Sequence, residues 1–215
     1  MFSKETYIKR RSKLKKDIDK GVLLFLGNNE SPMNYADNTF HFRQDSNFLY
    51  FFGVSHPNLA AIIDCETGEE IVYGDDYTID DVVWMGKQPT IADRFAEVGI
   101  EKTKPLSKLT GDLHHIRAQR RKIHFLPPYR PENKIKLFEL LGTAPVQQQE
   151  ASSLEFVKAV IAQRNYKTPE EFAEIEKAVD ITADMHIAAM KMLRPGMKES
   201  EIAAEVQRIA EAAGG

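Results

Sequence analysis

Histidines and carboxylates are the side chains of this chain that could hold a metal ion, and their spacing does not favour a metal site. The six histidines are scattered, and no two of them are separated by four residues. His114 and His115 are adjacent, so on a helix their side chains point about 100° apart. The H-E-x-x-H motif is also missing. Because a metal site needs several ligands that converge, we expect structural or surface roles for the histidines.

The acidic group of Asp75, Asp76, Asp80 and Asp81 is a second candidate for binding a cation. It lacks the alternating spacing and the central glycine of a calcium-binding loop, so a solvated loop is the simpler interpretation. Sequence motifs of serine hydrolases, dinucleotide-binding proteins and nucleotide triphosphatases are missing as well. This pattern favours a binding or accessory domain over a complete enzyme.

The composition excludes several classes of protein. The chain has 215 residues, 42% hydrophobic and 28% charged, with a net charge of −3. This balance is typical of a globular protein and does not favour binding to nucleic acid or to an anionic membrane. The apolar runs are too short to cross a bilayer, and the charged N-terminus does not resemble a signal peptide. Cys65 is the single cysteine, which fits a reducing compartment, so we expect a cytoplasmic protein.

Two segments contain residues suited to recognition. In the first, Arg43 can donate a fork of hydrogen bonds that Asp45 or Asp37 can accept, directly before the aromatic run that ends at Gly53. Such a pair is as typical of residues that anchor a loop as of residues that recognise a ligand. The second segment contains Trp84, the only tryptophan, in a polar stretch. It could be partly buried core, or it could fill the pocket of a partner from a loop tip.

The elements that must position these residues begin with an α/β pattern. Helical periodicity and capping residues predict four helices in the first part, and a fifth beginning at a Ser152-x-x-Glu155 capping box. The remaining apolar runs predict about five or six strands, with a long loop over residues 27–42. The predicted helices are 3–20, 91–98, 106–119, 132–141 and 152–162, and the predicted strands are 22–26, 48–52, 59–64, 71–73, 122–126 and 146–149.

The pattern changes near Gln163 to Lys167. From Thr168 onward it is purely helical, because Thr168-Pro169-Glu170-Glu171 combines an N-cap, a proline at the first helical position and a glutamate three residues after the cap. One long amphipathic helix follows, ends at Arg194-Pro195-Gly196, and leads to a second helix over about 199–213. We therefore predict two domains, residues 1–163 and 164–215. Two helices bury little surface alone, so the second domain is expected to be mobile or to pack on another chain.

Four stretches of the sequence, in order, resemble one family of peptidases. The stretch Phe42 to Asp64 reads FRQDSNFLYFFGVSHPNLAAIID and resembles the amino-terminal domain of bacterial Xaa-Pro aminopeptidases. The tryptophan loop Val83 to Lys87 resembles the W-x-G-R/K loop of that family. Arg164 to Glu171 resembles the start of its catalytic domain, and Pro195 to Glu199 resembles the link between the first two catalytic helices.

The resemblance implies a creatinase-like N-terminal domain, α/β with a mixed β-sheet flanked by helices. A helical hairpin that begins an incomplete pita-bread catalytic domain would follow it. The complete enzyme would bind two divalent metal ions, usually Mn²⁺, and cleave the bond before a proline at the second position of a peptide. The metal ligands would lie beyond Gly215, so we expect no catalytic residue, no metal ligand and no activity in this chain.

The resemblance also implies what the N-terminal domain contributes to a homo-oligomer, a dimer or tetramer. Asp37 matches a position near the amino end of the substrate, and Trp84 matches a tryptophan that reaches the active site of a neighbouring subunit. Two alternatives remain open on the same architecture. One is a prolidase-type dipeptidase, and the other is a non-enzymatic module that binds proteins.

Overall fold

The structure is a computed structural model that describes residues 2–214. The chain divides into two compact units, Met1–Arg164 and Asn165–Gly215. In chain order, the elements of the first unit are α1 (Lys4–Asp17), β1 (Val22–Leu26), α2 (Ser46–Phe52), β2 (Ala60–Asp64), β3 (Glu70–Tyr73), α3 (Ile79–Met85), α4 (Ile91–Ala96), β4 (Lys102–Lys104), a 3-10 turn (Leu106–Lys108), α5 (Leu109–Ala118), β5 (Ile123–Phe125), α6 (Pro131–Leu141), α7 (Gln148–Ala151) and α8 (Leu154–Asn165). The second unit contains α9 (Pro169–Met192) and α10 (Glu199–Ala212).

The strands of the first unit form one mixed sheet, as the sequence predicts. Within residues 2–214 its five strands follow the order β4-β3-β2-β1-β5. The inner strands β1, β2 and β3 are antiparallel, with Leu24 opposite Ile62 and Ile62 opposite Ile71. The outer strands β4 and β5 run parallel to β3 and β1. The short edge strand β4 was not predicted, because Lys-Thr-Lys lacks the apolar character of a buried strand.

Side chains alternate along the strands and supply two cores, one on each face of the sheet. Leu23, Phe25 and Ile63 face a core that also includes residues of α1, α2, α4 and α8. Leu24 and Ile62 face a second core that includes residues of α5 and α6. The sheet is therefore covered on both faces, which explains the continuous apolar runs of β1 and β2.

The predicted strand at residues 48–52 is wrong, because this segment is the helix α2. Asp45 caps the helix by accepting the N–H groups of Asn47 and Phe48, and Gly53 ends it in the left-handed region at φ 68°. Phe48, Phe51 and Phe52 are buried on one side of the helix. A run of five apolar residues cannot distinguish a buried strand from a buried helical turn.

Two further predictions near the end of the first unit are corrected. Residues 146–149 do not form a strand, since Val146 is exposed and α7 begins at Gln148. The predicted capping box of Ser152 and Glu155 is wrong, because the capping residue of the next helix lies one position further on. Ser153, rather than Ser152, accepts the N–H of Phe156, whereas the hydroxyl of Ser152 donates to the carbonyl of Gln149.

Arg11 connects four elements beneath the first core. Its guanidinium is fully buried and donates to Glu70 Oε2 at 2.7 Å, to the Phe51 carbonyl at 2.9 Å and to the Val98 carbonyl at 2.8 Å. Burial lowers the pKa of Arg11, and the carboxylate of Glu70 opposes that shift. These bonds satisfy the buried charge and link α1 to β3, to the end of α2 and to the turn that follows α4.

Candidate functional site

The long loop after β1 is attached to the sheet by Gln44, which is only 3% exposed. The Oε1 atom of Gln44 accepts the N–H groups of Asn28 and Asp45, both at 2.8 Å, and its Nε2 donates to the His56 carbonyl at 2.7 Å. One side chain therefore joins the two ends of the loop to each other and to the segment before β2. The sequence points to Arg43 as one candidate for such an anchor and gives no sign of Gln44.

Asn28 attaches the same loop to the segment after β5. Its Nδ2 donates to the Arg43 carbonyl at 2.9 Å and to the Tyr129 hydroxyl at 3.2 Å. Its Oδ1 accepts from Asn133 Nδ2 at 3.3 Å. Arg130 adds a bond from its guanidinium to the carbonyl of Asn29 at 3.0 Å. Buried amide groups thus fix the base of the loop where β1 and β5 end.

Asp37 lies at the outer end of this loop and is exposed. Pro32 and Thr39 pair in an isolated antiparallel bridge, and the N–H of Met33 donates to the carbonyl of Asn38 at 2.8 Å. This small turn presents Asp37 to solvent. The side chains of Met33, Tyr35 and Phe40 are also exposed. The loop therefore combines a carboxylate with apolar and aromatic side chains, while its base is held rigidly.

Trp84 is on α3, where it is 88% exposed. The helix begins with a capping box in which Thr78 and Asp81 bond each other's N–H groups. No residue of α3, which the structure describes in full, is buried. Ile79 and Val83 of the same helix are exposed as well. Of the two readings left open by the sequence, the structure excludes a core role for Trp84 within this chain.

Asp37 and Trp84 lie on separate segments. Within residues 2–214, no hydrogen bond connects the two side chains. Sequence reasoning could give them a role near the substrate only because each matched a family motif. The amide residues that fix the base of the Asp37 loop could not be recognised in the same way, because isolated Asn and Gln residues in a polar stretch are typical of any loop.

The acidic group around Asp75 has structural roles. Asp75 and Asp76 accept the N–H groups of Leu106 and Ile91, and Asp81 caps α3. Hydrogen bonds from Thr78 lower the pKa of Asp81. Within residues 2–214, no group of three or more His, Cys, Asp or Glu side chains is arranged to hold a metal ion. The described residues therefore do not fit a metal centre of the kind that the resemblance implies.

Cys65 is unsuited to nucleophilic chemistry. Burial and the neighbouring carboxylates of Asp64 and Glu66 raise the pKa of its thiol to about 11. The thiolate, which is the reactive form, is therefore scarce at neutral pH.

In the part of the chain that the structure describes, no helix is both long and apolar enough to cross a bilayer.

A family comparison decides the assignment. The sequence profile of the aminopeptidase P N-terminal domain matches residues 7–124, from α1 to β5. The chain belongs to the aminopeptidase P N-terminal domain family. The matched range includes the loop that carries Asp37, the helix that carries Trp84, strands β1 to β4 and the first two residues of β5.

Relatives of this aminopeptidase P N-terminal domain include two types of peptidase. The Xaa-Pro aminopeptidase of Escherichia coli K12 is 22% identical over 218 residues, which cover 95% of this chain and 48% of that protein. An Xaa-Pro dipeptidase of Pongo abelii is 22% identical over 190 residues, covering 86% of this chain and 37% of that protein. The chain therefore spans half or less of the length of these relatives.

A solved structure supports the fold over nearly the whole chain. Zinc-substituted E. coli aminopeptidase P in complex with product matches with a TM-score of 0.80 at 20% identity. The match covers 99% of this chain and 50% of that structure. The predicted mixed α/β fold with helices on both sides of the sheet is confirmed.

Proposed function

We propose that this chain is the amino-terminal part of a metal-dependent Xaa-Pro aminopeptidase. The complete protein would remove the first residue of peptides that have proline in second position. The family match over residues 7–124 carries this proposal, and the E. coli aminopeptidase supports it. In the proposal, the domains are residues 1–163 and 164–215, and the complete protein is a cytoplasmic homo-oligomer.

In this proposal, the metal ions and the contacts that guide the substrate belong to different parts of the peptidase. The chemistry of the described residues supports this assignment. They form no metal site, so we assign the metal ions, with Mn²⁺ as the proposed metal, to the part of the peptidase beyond this chain. When bound, such ions supply an activated water and polarise the scissile carbonyl. The 215-residue chain alone is then inactive, and its own residues contribute to substrate access and subunit contacts.

Asp37 and Trp84 are the proposed substrate-binding residues. An exposed carboxylate attracts the α-ammonium group of a free peptide N-terminus, and Asp37 is presented on a loop whose base is fixed by Gln44 and Asn28. An exposed indole supplies a rigid apolar surface. In the proposed oligomer, Trp84 narrows the approach to a neighbouring active site and favours short or extended peptides.

The second unit supports the same proposal. The structure describes every residue of α9 and α10, and none of these residues is buried. The sequence nevertheless gives α9 an apolar stripe with Phe172, Ile175 and Val179, all of which are exposed. An amphipathic helix is stabilised mainly by burying such a stripe. We propose that the remainder of the catalytic domain covers it.

The test is to join the 215-residue chain to its downstream coding sequence and to assay both proteins with an Xaa-Pro-Xaa tripeptide in the presence of Mn²⁺. Cleavage by the longer protein and none by the 215-residue chain supports the proposal. Cleavage by the short chain, or no cleavage by the longer protein with any divalent metal, contradicts it.

The roles of Asp37 and Trp84 are tested in the longer protein. Asp37→Asn is expected to raise KM for free peptides and to have little effect on peptides with a blocked N-terminus, since only the former carry the ammonium group. Trp84→Ala is expected to change kcat/KM in a way that depends on peptide length. The matched control is Tyr166→Ala, another exposed aromatic residue outside the matched family range. If neither variant changes KM or kcat/KM for any of these peptides, the proposed substrate-binding roles of Asp37 and Trp84 are wrong.

A dipeptidase is the second candidate, because Xaa-Pro dipeptidases are also among the relatives. The same longer protein distinguishes the two. An aminopeptidase cleaves Xaa-Pro-Xaa and longer peptides, whereas a prolidase-type enzyme cleaves only the dipeptide Xaa-Pro.

A further inference from the structure

The helix that carries Trp84, α3, has no buried residue that packs it onto the domain. Within residues 2–214, the side-chain and capping hydrogen bonds of residues 78–85 end inside the helix or within three residues after it. Residues 86–90, which follow the helix, are exposed apart from the half-buried Gln88. The position of α3 therefore depends mainly on the segment before it.

Tyr77 connects the start of α3 to the rest of the domain. It comes directly before the N-cap Thr78, is half-buried, and packs edge-to-face on the ring of His56. The two ring centroids lie 5.5 Å apart at an angle of 61°, a geometry in which aromatic rings attract each other beyond the area they bury. Asp76 adds a second attachment, because its Oδ1 accepts the N–H of Ile91 on α4 at 2.6 Å.

His56 is itself fixed at two points. Its Nδ1 lies 2.8 Å from the carbonyl oxygen of Pro57, and because a carbonyl only accepts, Nδ1 carries the proton. The backbone carbonyl of His56 accepts from Gln44 Nε2 at 2.7 Å. Burial lowers the pKa of His56, so the ring is uncharged at neutral pH. The imidazole therefore presents a fixed, neutral ring to Tyr77.

The segment before β2 is also joined to the base of the long loop after β1. The N–H of Asn58 donates to the Asn28 carbonyl at 3.2 Å, and the N–H of Gly27 donates to the Leu59 carbonyl at 2.9 Å. Gly27 has no room for a side chain, since a Cβ atom there would lie 2.8 Å from the Leu59 carbonyl oxygen. Together with the bond from Gln44, these contacts attach residues 56–59 firmly to the base of the loop.

We propose that His56 is a positioning residue that holds the Trp84 helix in a fixed place relative to the Asp37 loop. Its backbone belongs to the base of the loop through Gln44, and its ring holds Tyr77 at the start of the helix. The two proposed substrate-binding residues, which lie on separate segments, are then kept at a fixed separation. The consequence for catalysis rests on the proposed function, whereas the positioning of α3 does not.

The positioning is tested by NMR in the 215-residue chain, where no activity is needed. His56→Ala removes the ring contact but keeps the backbone carbonyl that Gln44 bonds. The order parameters of the Val82 and Val83 amides in α3 are expected to fall from about 0.85, typical of rigid backbone, to below about 0.6. Those of β1 and β2 should not change. Unchanged values in α3, or values below about 0.6 already in the unmodified chain, would overturn the inference.

Further variants separate the ring contact from the other properties of His56. His56→Phe keeps an aromatic ring and is expected to preserve the order of α3. Tyr77→Ala is expected to act like His56→Ala, and the double variant should add nothing, because both changes remove the same contact. The matched control is His114→Ala, which replaces an exposed histidine on α5. Equal loss of order in this control, or additive effects in the double variant, would contradict the proposal.

Kinetics of the longer protein test the consequence for catalysis. His56→Ala is expected to raise KM about three- to tenfold with little change in kcat, because Trp84 occupies its binding position for a smaller fraction of the time. His56→Phe should restore KM, whereas general misfolding would lower kcat. An unchanged KM for His56→Ala in an active protein would overturn the role in substrate binding. If the longer protein shows no peptidase activity, the proposed function fails and the order parameters alone decide the inference.

Discussion

The two units of this chain contain similar amphipathic helices but bury them very differently. In the first unit, α1, α2, α4 and α8 pack on one face of a five-stranded sheet, and α5 and α6 pack on the other. In the second unit, no residue of α9 or α10 is buried. An apolar stripe and good capping residues therefore specify a helix, whereas a core requires a surface on which the stripe can pack.

The sharpest test of this difference compares two phenylalanines. Phe52 is fully buried, and its ring centroid lies 5.1 Å from that of Phe25 in an edge-to-face arrangement. We therefore expect Phe52→Ala to lower the free energy of unfolding by about 3–5 kcal/mol. Phe172 on α9 is 55% exposed, and Phe172→Ala is expected to change it by less than about 0.5 kcal/mol. Urea denaturation, followed by NMR signals of β1 and β2, measures both. Equal losses of unfolding free energy for Phe52→Ala and Phe172→Ala would contradict the difference in burial between the two units.

A second comparison concerns two arginines. Arg11→Met removes the buried guanidinium that bonds Glu70, Phe51 and Val98, and we expect a loss of about 3 kcal/mol because buried acceptors lose their donor. Lys15, which also bonds Glu70, limits the loss. Arg208→Met on α10 removes only an exposed pair with Glu205 and is expected to leave urea denaturation unchanged. A larger effect at Arg208 than at Arg11 would contradict the account.

The third comparison uses pH and has the smallest expected effect. Burial by itself would raise the pKa of Asp64, but hydrogen bonds from Arg121 and from the N–H groups of Thr67 and Glu66 outweigh it and lower the pKa to about 2. This folded-state pKa lies below the unfolded value of about 3.9. Ionised Asp64 therefore stabilises the folded state, and this stabilisation is complete above about pH 4. It is lost as the pH falls toward 2.

We expect the Asp64 contribution to be about 1–2 kcal/mol. It is measured as the difference in unfolding free energy between the unmodified chain and Asp64→Asn, at pH 5 and at pH 2. The difference should shrink at the lower pH. Glu205→Gln in the second unit is the control and should show no such change. A difference for Asp64→Asn that grows on acidification would reverse the assigned sign.

Much of the fold could be predicted from local patterns. The hairpin of β2 and β3 and the capping box at Thr168 follow from short-range rules, and both are present. The segment of Phe48 to Phe52 was misassigned because its apolar residues are consecutive. Only the cap at Asp45 and the turn at Gly53 show that it is helical. Strand β4 was missed because an edge strand need not be apolar.

The candidate site was less predictable than the fold. Asp37 and Trp84 could be named from family likeness, and the structure shows both to be exposed. Gln44, Asn28 and Asn133 could not be named, because their importance comes from hydrogen bonds between residues up to 105 positions apart. No local pattern contains that information.

Hydrogen exchange on the dilute 215-residue chain compares the stability of the two units residue by residue. Residues 2–164 hold a core of their own, whereas no residue of α9 or α10 is buried. Amides of β1 and β2 should then exchange orders of magnitude more slowly than amides of α9 and α10, which open without breaking a core. Protection of α9 and α10 equal to that of β1, in a sample shown to be monomeric, would contradict the account.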